Sequence, residues 1–447
     1  MMNSINKEAI QESIKAHLTA GLEGKHFSVV INDRLYALFA RSIDVDVAVY
    51  DLEGKPIAII EIQGFPQAWA MLKQMDASLW RSFGILGVRY SIVTDGEVFL
   101  MCSKTNTTYQ KTNLSTVIDT INNGLPVLGP TPSDEQIIQA IVEAASKNGL
   151  KQSNTVKSFL ERTRSRRLFK ADRTTGRVEF YSSRAEDSFF SLLIRGRIPP
   201  KLCRFTTRHN LFLLLKERKQ NMCSIVCMND KSEETYADKK IGFSEGWAKV
   251  QIENNNCFIL SLLPQEKSDD LTMWRLYGDD AKGVCLNYEI KEVRRRRKIK
   301  GDFFMSVVNY GENEKSHPEL DFLKGVLQIN INHWHIKLNR WHIWKHFFKS
   351  FRFRDENEVR LLYLSNGREK VEKQWIENEV SGIVSKMLLF PMIPINTFPL
   401  CLTSVIVGPK APDPRKITEQ FSYLVDQEWR DYPTQILMRQ SAIKEYR

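Results

Sequence analysis

The sequence has no apolar run approaching the eighteen or so residues that a helical membrane span requires, so a membrane-spanning helix is not expected. Its start, MMNSINKEAIQES, lacks the basic-then-apolar order of a secretory signal, and a cytoplasmic location is the expectation. Cysteine is scarce and unpaired in number: the seven residues lie mostly in apolar, strand-like surroundings and read as reduced core side chains, not a disulfide framework. Cys223 and Cys227 in MCSIVC form half of a zinc pattern, but no second cysteine or histidine pair stands at a useful spacing. Internal repeats and low-complexity tracts are also missing, which sets aside solenoids and disordered tails.

What is present is a globular composition, with 42% hydrophobic and 26% charged residues. A length of 447 residues suggests two domains, three at most. The net charge of +11 is uneven, because residues 1–130 hold 11 Lys+Arg against 13 Asp+Glu and the positive excess lies beyond them. Two basic runs stand out: ERTRSRRLFK at 161–170, with Arg164, Arg166 and Arg167, and RRRRKIK at 294–300, with Arg295, Arg296 and Arg297. Each reads equally well as a solvated arginine loop or as a set of phosphate contacts. Nucleic acid is the partner these runs suggest, with no membrane role.

Hydrophobic spacing divides the chain. Ile10, Ile14 and Leu18 repeat at helical intervals, and strands follow at 27–31, 45–50, 56–63, 89–93 and 97–101. The helix-like MLKQMDASLWRSFG lies between the third and fourth strands, so residues 1–121 read as an α/β domain with a central sheet. Glycine and proline gather at 122–133, and Ser133 with Gln136 forms the capping box of a helix over 134–147. Residues 122–175 therefore read as a linker with a connecting helix. From 176 to 447 strands such as CFILSLL, GVCLNYEI and EVRLLYL alternate with helices, among them a long helical stretch expected over 318–350, in a larger and irregular α+β domain.

The stretch DVDVAVYDLEGKPIAIIEIQ at 44–63 carries the first chemistry. A turn at Glu53-Gly54 would place residues whose numbers sum to 107 opposite one another, which pairs Asp46 with Glu61. Asp44 and Gln63 would share that face, since strand side chains alternate. Close carboxylates repel unless neutralised, and a Mg²⁺ ion held by one or two of them with water is the simplest neutraliser.

This pattern resembles the PD-(D/E)xK nuclease superfamily, in particular the N-terminal domain of type I restriction enzyme R subunits, over roughly residues 5–105. Asp46 and Glu61 match its metal-binding acids, Gln63 stands where the family has lysine, and Gln74 and Trp80 fall on its glutamine and aromatic helix. The resemblance implies a restriction-endonuclease-like domain with a central mixed sheet, Mg²⁺-dependent phosphodiester hydrolysis with Asp46, Glu61 and Gln63 at the site, and an anti-phage defence role. A homo-oligomer or a partner encoded beside it is compatible with such a role.

The second half resembles the bacterial family known as domain of unknown function 2971. The resemblance rests on RFTTRHN with Arg204 and Thr206, MNDKSE with Asn229, Asp230 and Glu233, MWRLYG with Trp274 and Tyr277, and ENEVRLLY with Glu358. Arg204, Ser261 and Glu358 are also the residue types, in order, of an ADP-ribosyltransferase, the alternative reading, in which NAD is the substrate and Glu358 the catalytic acid. A third reading is a non-catalytic nucleic-acid sensor. His335, His342 and His346, with Trp334 and Trp341, fall on one helical face, where aromatic packing is favoured over a metal site.

Overall fold

A computed structural model describes residues 6–22, 27–36, 42–51, 56–63, 88–103, 109–123, 129–163, 167–172, 176–227, 232–242, 256–291, 302–365, 367, 371–377, 384–393 and 398–444. The chain forms two compact units, Met1–Phe189 with Ile241–Gln251 and Asp321–Arg340, and Phe190–Lys240 with Ile252–Leu320 and Trp341–Arg447. The segment read as a linker, 122–175, lies inside the first unit.

In the first unit, α1 (Lys7–Gly21) starts at Asn6, whose side chain accepts a bond from the Ala9 amide and satisfies one of the helix's open donors. Its apolar stripe, Ile14 and Leu18, is buried with Val47, Val49, Ile60, Ile62 and Ile92 in one core. Those partners belong to a six-stranded sheet of order β1 (Ser28–Tyr36), β2 (Ser42–Tyr50), β3 (Pro56–Ile62), β4 (Tyr90–Thr94), β5 (Phe99–Ser103) and β6 (Gln110–Thr112). The sheet is mixed, as expected: β3 and β4 run parallel while the other neighbours are antiparallel. The 107 register holds from Val47↔Ile60 to Val49↔Ala58, after which a bulge pairs Tyr50 with Pro56. The turn at Glu53-Gly54 and the helix with Gln74 and Trp80 lie outside the described residues.

Beyond this sheet the unit holds helices Leu114–Asn123, Asp134–Lys147 and Ser153–Thr163 and a four-stranded sheet that includes Arg177–Phe180 and Trp334–Lys337. The capping box forms as read, with Ser133 accepting from the Gln136 amide and the Gln136 side chain accepting from the Ser133 amide. The long helix expected over 318–350 does not form. A helix ends at Leu327, and Asn332 and His333 take left-handed φ of 53° and 70° in a turn between the strands Asn330–Ile331 and Trp334–Lys337. A side-chain bond from the His333 amide to Asn330 closes that turn, so local polar chemistry overrides the helical spacing. His335 and His342 consequently sit on different elements, and the histidine stripe dissolves.

The second unit is built on a ten-stranded sheet. Its strands are β7 (Lys201–Thr206), β8 (Lys219–Ser224), β9 (Cys257–Pro264), β10 (Val284–Ile290), β11 (Asp302–Val307), β12 (Val359–Leu364), β13 (Glu372–Glu377), β14 (Val384–Pro391), β15 (Leu400–Val407) and β16 (Leu437–Gln440). The main path runs β13-β14-β8-β9-β7-β10-β15-β16, and β12 joins β9 to β11. β9 is the branch point. One edge pairs with β12 from Cys257 to Leu262; the other meets β8 at Phe258 and Ile259 and β7 at Leu263 and Pro264. Helices α2 (Arg208–Glu217) and α3 (Leu271–Tyr277) begin at the side-chain caps Thr207 and Asp270.

After α3 the chain turns back through three consecutive left-handed residues, Asp279, Asp280 and Ala281, and then Gly283. A Cβ on Gly283 would lie 2.3 Å from the Thr206 carbonyl oxygen, so this close backbone approach excludes any side chain. Gly283→Ala is expected to destabilise the second unit by at least ~2 kcal/mol, read as a thermal transition lowered by several degrees in the full-length protein.

Candidate functional site

The acid pair read from the sequence sits where β2 leaves β3. Pairing stops at Val47↔Ile60, and the Asp46 side chain then takes over the ladder: its Oδ2 accepts from the Ile62 amide at 2.7 Å. That amide is bonded to the residue after Glu61 Cα, so the Asp46 carboxylate lies within ~5 Å of Glu61 Cα by backbone geometry. Oδ1 turns toward α1, where Lys7 Nζ stands 2.7 Å away and the buried Gln11 amide nitrogen 3.5 Å away. Gln11 also donates to Asn32 at 2.6 Å, and Asn32 has a left-handed φ of 49° directly across β1 from this position.

One expectation needs correction. Ile60 and Ile62 face α1, so alternation sends Glu61 to the other face with Ile59. Asp46 and Glu61 therefore do not stand together on one face; they approach the gap between β2 and β3 from opposite sides. The reason is the helix: Gln11, Lys7 and the Ile62 amide together draw Asp46 toward α1. Glu61 is buried, and Gln63 Nε2 lies 3.4 Å from its Oε2. Asp44 is exposed. Among the described residues no group of three or more His, Cys, Asp or Glu could hold a metal ion. Sequence reasoning missed Lys7 and Gln11, although a lysine in the first turn of a helix, against the dipole, was a visible oddity.

The second unit places its charges inside. Glu358, just before β12, and Arg360 on it are both buried and form a two-pronged pair at 2.7 and 3.0 Å. Arg360 Nη1 donates to the His346 carbonyl at 2.7 Å. Lys349 lies 3.5 Å from Glu358 and 2.7 Å from Glu356, and the Tyr277 hydroxyl donates to the other Glu356 oxygen at 2.6 Å. A continuous polar chain thus runs from the partly exposed Tyr277 to the sealed Arg360. Burial alone would raise the Glu358 carboxyl, but Arg360, Lys349 and a bond from Ser261 together hold it below the usual carboxylate range. The Glu358 amide donates to the Tyr310 hydroxyl, which burial and then the Glu358 charge push well up.

Measured against the transferase order, Ser261 and Glu358 do meet, Ser261 lying opposite Arg360 in the β9–β12 ladder. Arg204 does not join them. Cys203 pairs with Leu263, which shares a face with Ser261, so Arg204 projects to the opposite face with Leu202 and reaches Asn221 at 3.4 Å. Glu358 is buried and held by Arg360 in a two-pronged pair. Trp274 is fully buried edge-on to Phe205 and donates to Asp269 at 2.8 Å. That Asp269 carboxylate also takes Ser441 and the Ala442 amide, which explains the closing QSA. Thr206 is buried and accepts from Asn210. Glu233 falls on the helix Ser232–Ile241. Arg167 stacks over Tyr181, while Arg164, Arg166, Asn229, Asp230, Arg295, Arg296 and Arg297 lie outside the described residues.

His346 gives this cluster a pH signature. It is fully buried, neither ring nitrogen has a partner at hydrogen-bonding geometry, and burial followed by repulsion from Lys345 and Arg360 keeps its pKa well below the ordinary value. Below roughly pH 6.5 the unfolded chain takes up a proton here that the folded one refuses, so stability falls with pH. Glu358, also depressed, adds a second loss below roughly pH 4.3. Thermal melts between pH 7.5 and 5.5 should drop for the wild type and drop less for His346→Phe, which is expected to be neutral or slightly stabilising at pH 7.5.

Residues 273–361 match the model of a family described as Protein of unknown function (DUF2971), in line with the resemblance read from the second half. No curated protein matches. Among solved structures, a chain of the DrdV–DNA complex, seen by cryo-electron microscopy, is similar at 11% identity and a TM-score of 0.22, with 36% of this chain and 17% of that chain covered.

Proposed function

We propose that the first unit carries a nuclease-type site that acts on the phosphodiester backbone of nucleic acid with a hard divalent cation, Mg²⁺ in the cell. The observation that carries this reading is the Asp46 carboxylate, set where the β2–β3 pairing stops and held 2.7 Å from the Ile62 amide beside Glu61. The donor chemistry suits such an ion: Asp46 offers a hard carboxylate oxygen in Oδ1, Glu61 lies across the same gap, and water would complete the shell. When bound, the cation supplies positive charge to a phosphate oxygen and acidifies a coordinated water.

The chain's own residues do the positioning. The Ile62 amide fixes one Asp46 oxygen and so aims the other out of the ladder, where Lys7 now neutralises it. Glu61 stands buried on the far side of the gap, steadied by the Gln63 amide. The basic runs at 161–170 and 294–300 would add contacts to the backbone, and association is then strongly salt-dependent. Restriction of invading DNA is the biological role that belongs to this proposal.

A second reading is favoured by one observation, the Lys7–Asp46 pair, which satisfies the carboxylate without a metal and suits a domain that grips nucleic acid without cutting it. The two are separated by incubating full-length protein with supercoiled plasmid and Mg²⁺. Nicking that vanishes with chelator and falls at least 100-fold in Asp46→Asn supports the nuclease; plasmid retarded on a gel yet intact in both proteins supports binding alone.

A further inference from the structure

Gln63 cannot provide positive charge, so a nuclease-type site built on Asp46 and Glu61 would lack a protein cation unless another element supplies one. α1 does. Lys7 is the first residue of that 15-residue helix, its ammonium is 2.7 Å from Asp46 Oδ1, and its side chain remains 52% exposed. A cation in a first helical turn opposes the helix dipole, at a cost of about 0.3–1 kcal/mol, and no apolar packing at so exposed a position repays that cost. The opposing term is Asp46, whose other oxygen is already fixed by the sheet. Gln11, one helical turn further on and buried, holds the same carboxylate and the Asp46 carbonyl, so two residues on one face of α1 address this single site.

We infer that Lys7 is the cationic residue of the acid site, neutralising Asp46 while no divalent ion is bound and meeting the substrate phosphate once an ion takes that oxygen. This inference rests on the nuclease reading. Lys7 and a divalent ion compete for Oδ1, so the lysine is displaced by the ion and set free, still within reach of the site, to pair with an anionic phosphodiester oxygen. The assignment requires two effects of opposite sign on removing the ammonium: the ion binds more tightly, and cleavage slows.

The experiment uses the full-length protein with Lys7→Met and Lys7→Arg, Mn²⁺ titration by calorimetry, and plasmid nicking in Mg²⁺. Lys7→Met should tighten Mn²⁺ binding by about 3- to 10-fold and slow nicking by ~100-fold or more, the scale of losing one preorganised charge partner of a developing anion. Lys7→Arg, which keeps the charge, should stay within about 10-fold of the wild type in nicking. Lys7→Met nicking within threefold of the wild type, or Mn²⁺ affinity unchanged or weakened, overturns the assignment while the nuclease reading stands. A wild-type protein that shows neither Asp46-dependent Mn²⁺ binding nor nicking overturns both.

Discussion

A β-ladder obliges each buried amide to find an acceptor, and at Ile62 the acceptor is a side chain. Where β2 leaves β3, the strand that should have paired is no longer there, and Asp46 Oδ2 fills the place of a main-chain carbonyl. Everything in the first site follows from that substitution. One oxygen is fixed in the plane of the sheet, so the other must leave it, and the helix packed over that face meets it with Lys7 and Gln11. Asn32, across on β1, is left-handed, and its side chain shares Gln11 with the acid. Three donors, the Ile62 amide, Lys7 and Gln11, surround this half-buried carboxylate.

The second unit solves a different problem with similar means. Four charged groups, Lys349, Glu356, Glu358 and Arg360, are drawn beneath the branched sheet and balance one another. Buried ion pairs of this kind add little net stability compared with apolar residues, but breaking one leaves an uncompensated charge, so they favour a single arrangement of the elements that carry them. The alternation of glutamates and arginine in ENEVRLLY is thus a folding device for the β9–β12 seam, with the Tyr277–Glu356 contact at its solvent end.

Much of the local structure was legible. The Ser133–Gln136 capping box, the helix from Lys7, the strands around Val47 and Ile59 and the 107 register each depend on neighbours in sequence or on a single hairpin, and spacing alone reports those. Reading failed where a local and a distant preference compete. The region 318–350 has helical spacing, but the Asn330–His333 turn captures it. Arg204, Ser261 and Glu358 follow in the right order, yet order along a chain says nothing about which face of a branched sheet each one takes.

By itself the sequence determined the acids and the hairpin register that leads up to them, because hairpin pairing is set by alternation and turn length within twenty residues. Only the tertiary structure decided which side of β3 each carboxylate faces and which cation answers Asp46. That choice depends on α1, some forty residues earlier in the chain, and a helix's resting place on a sheet is set by the apolar stripe it buries rather than by the polar residues it happens to bring with it.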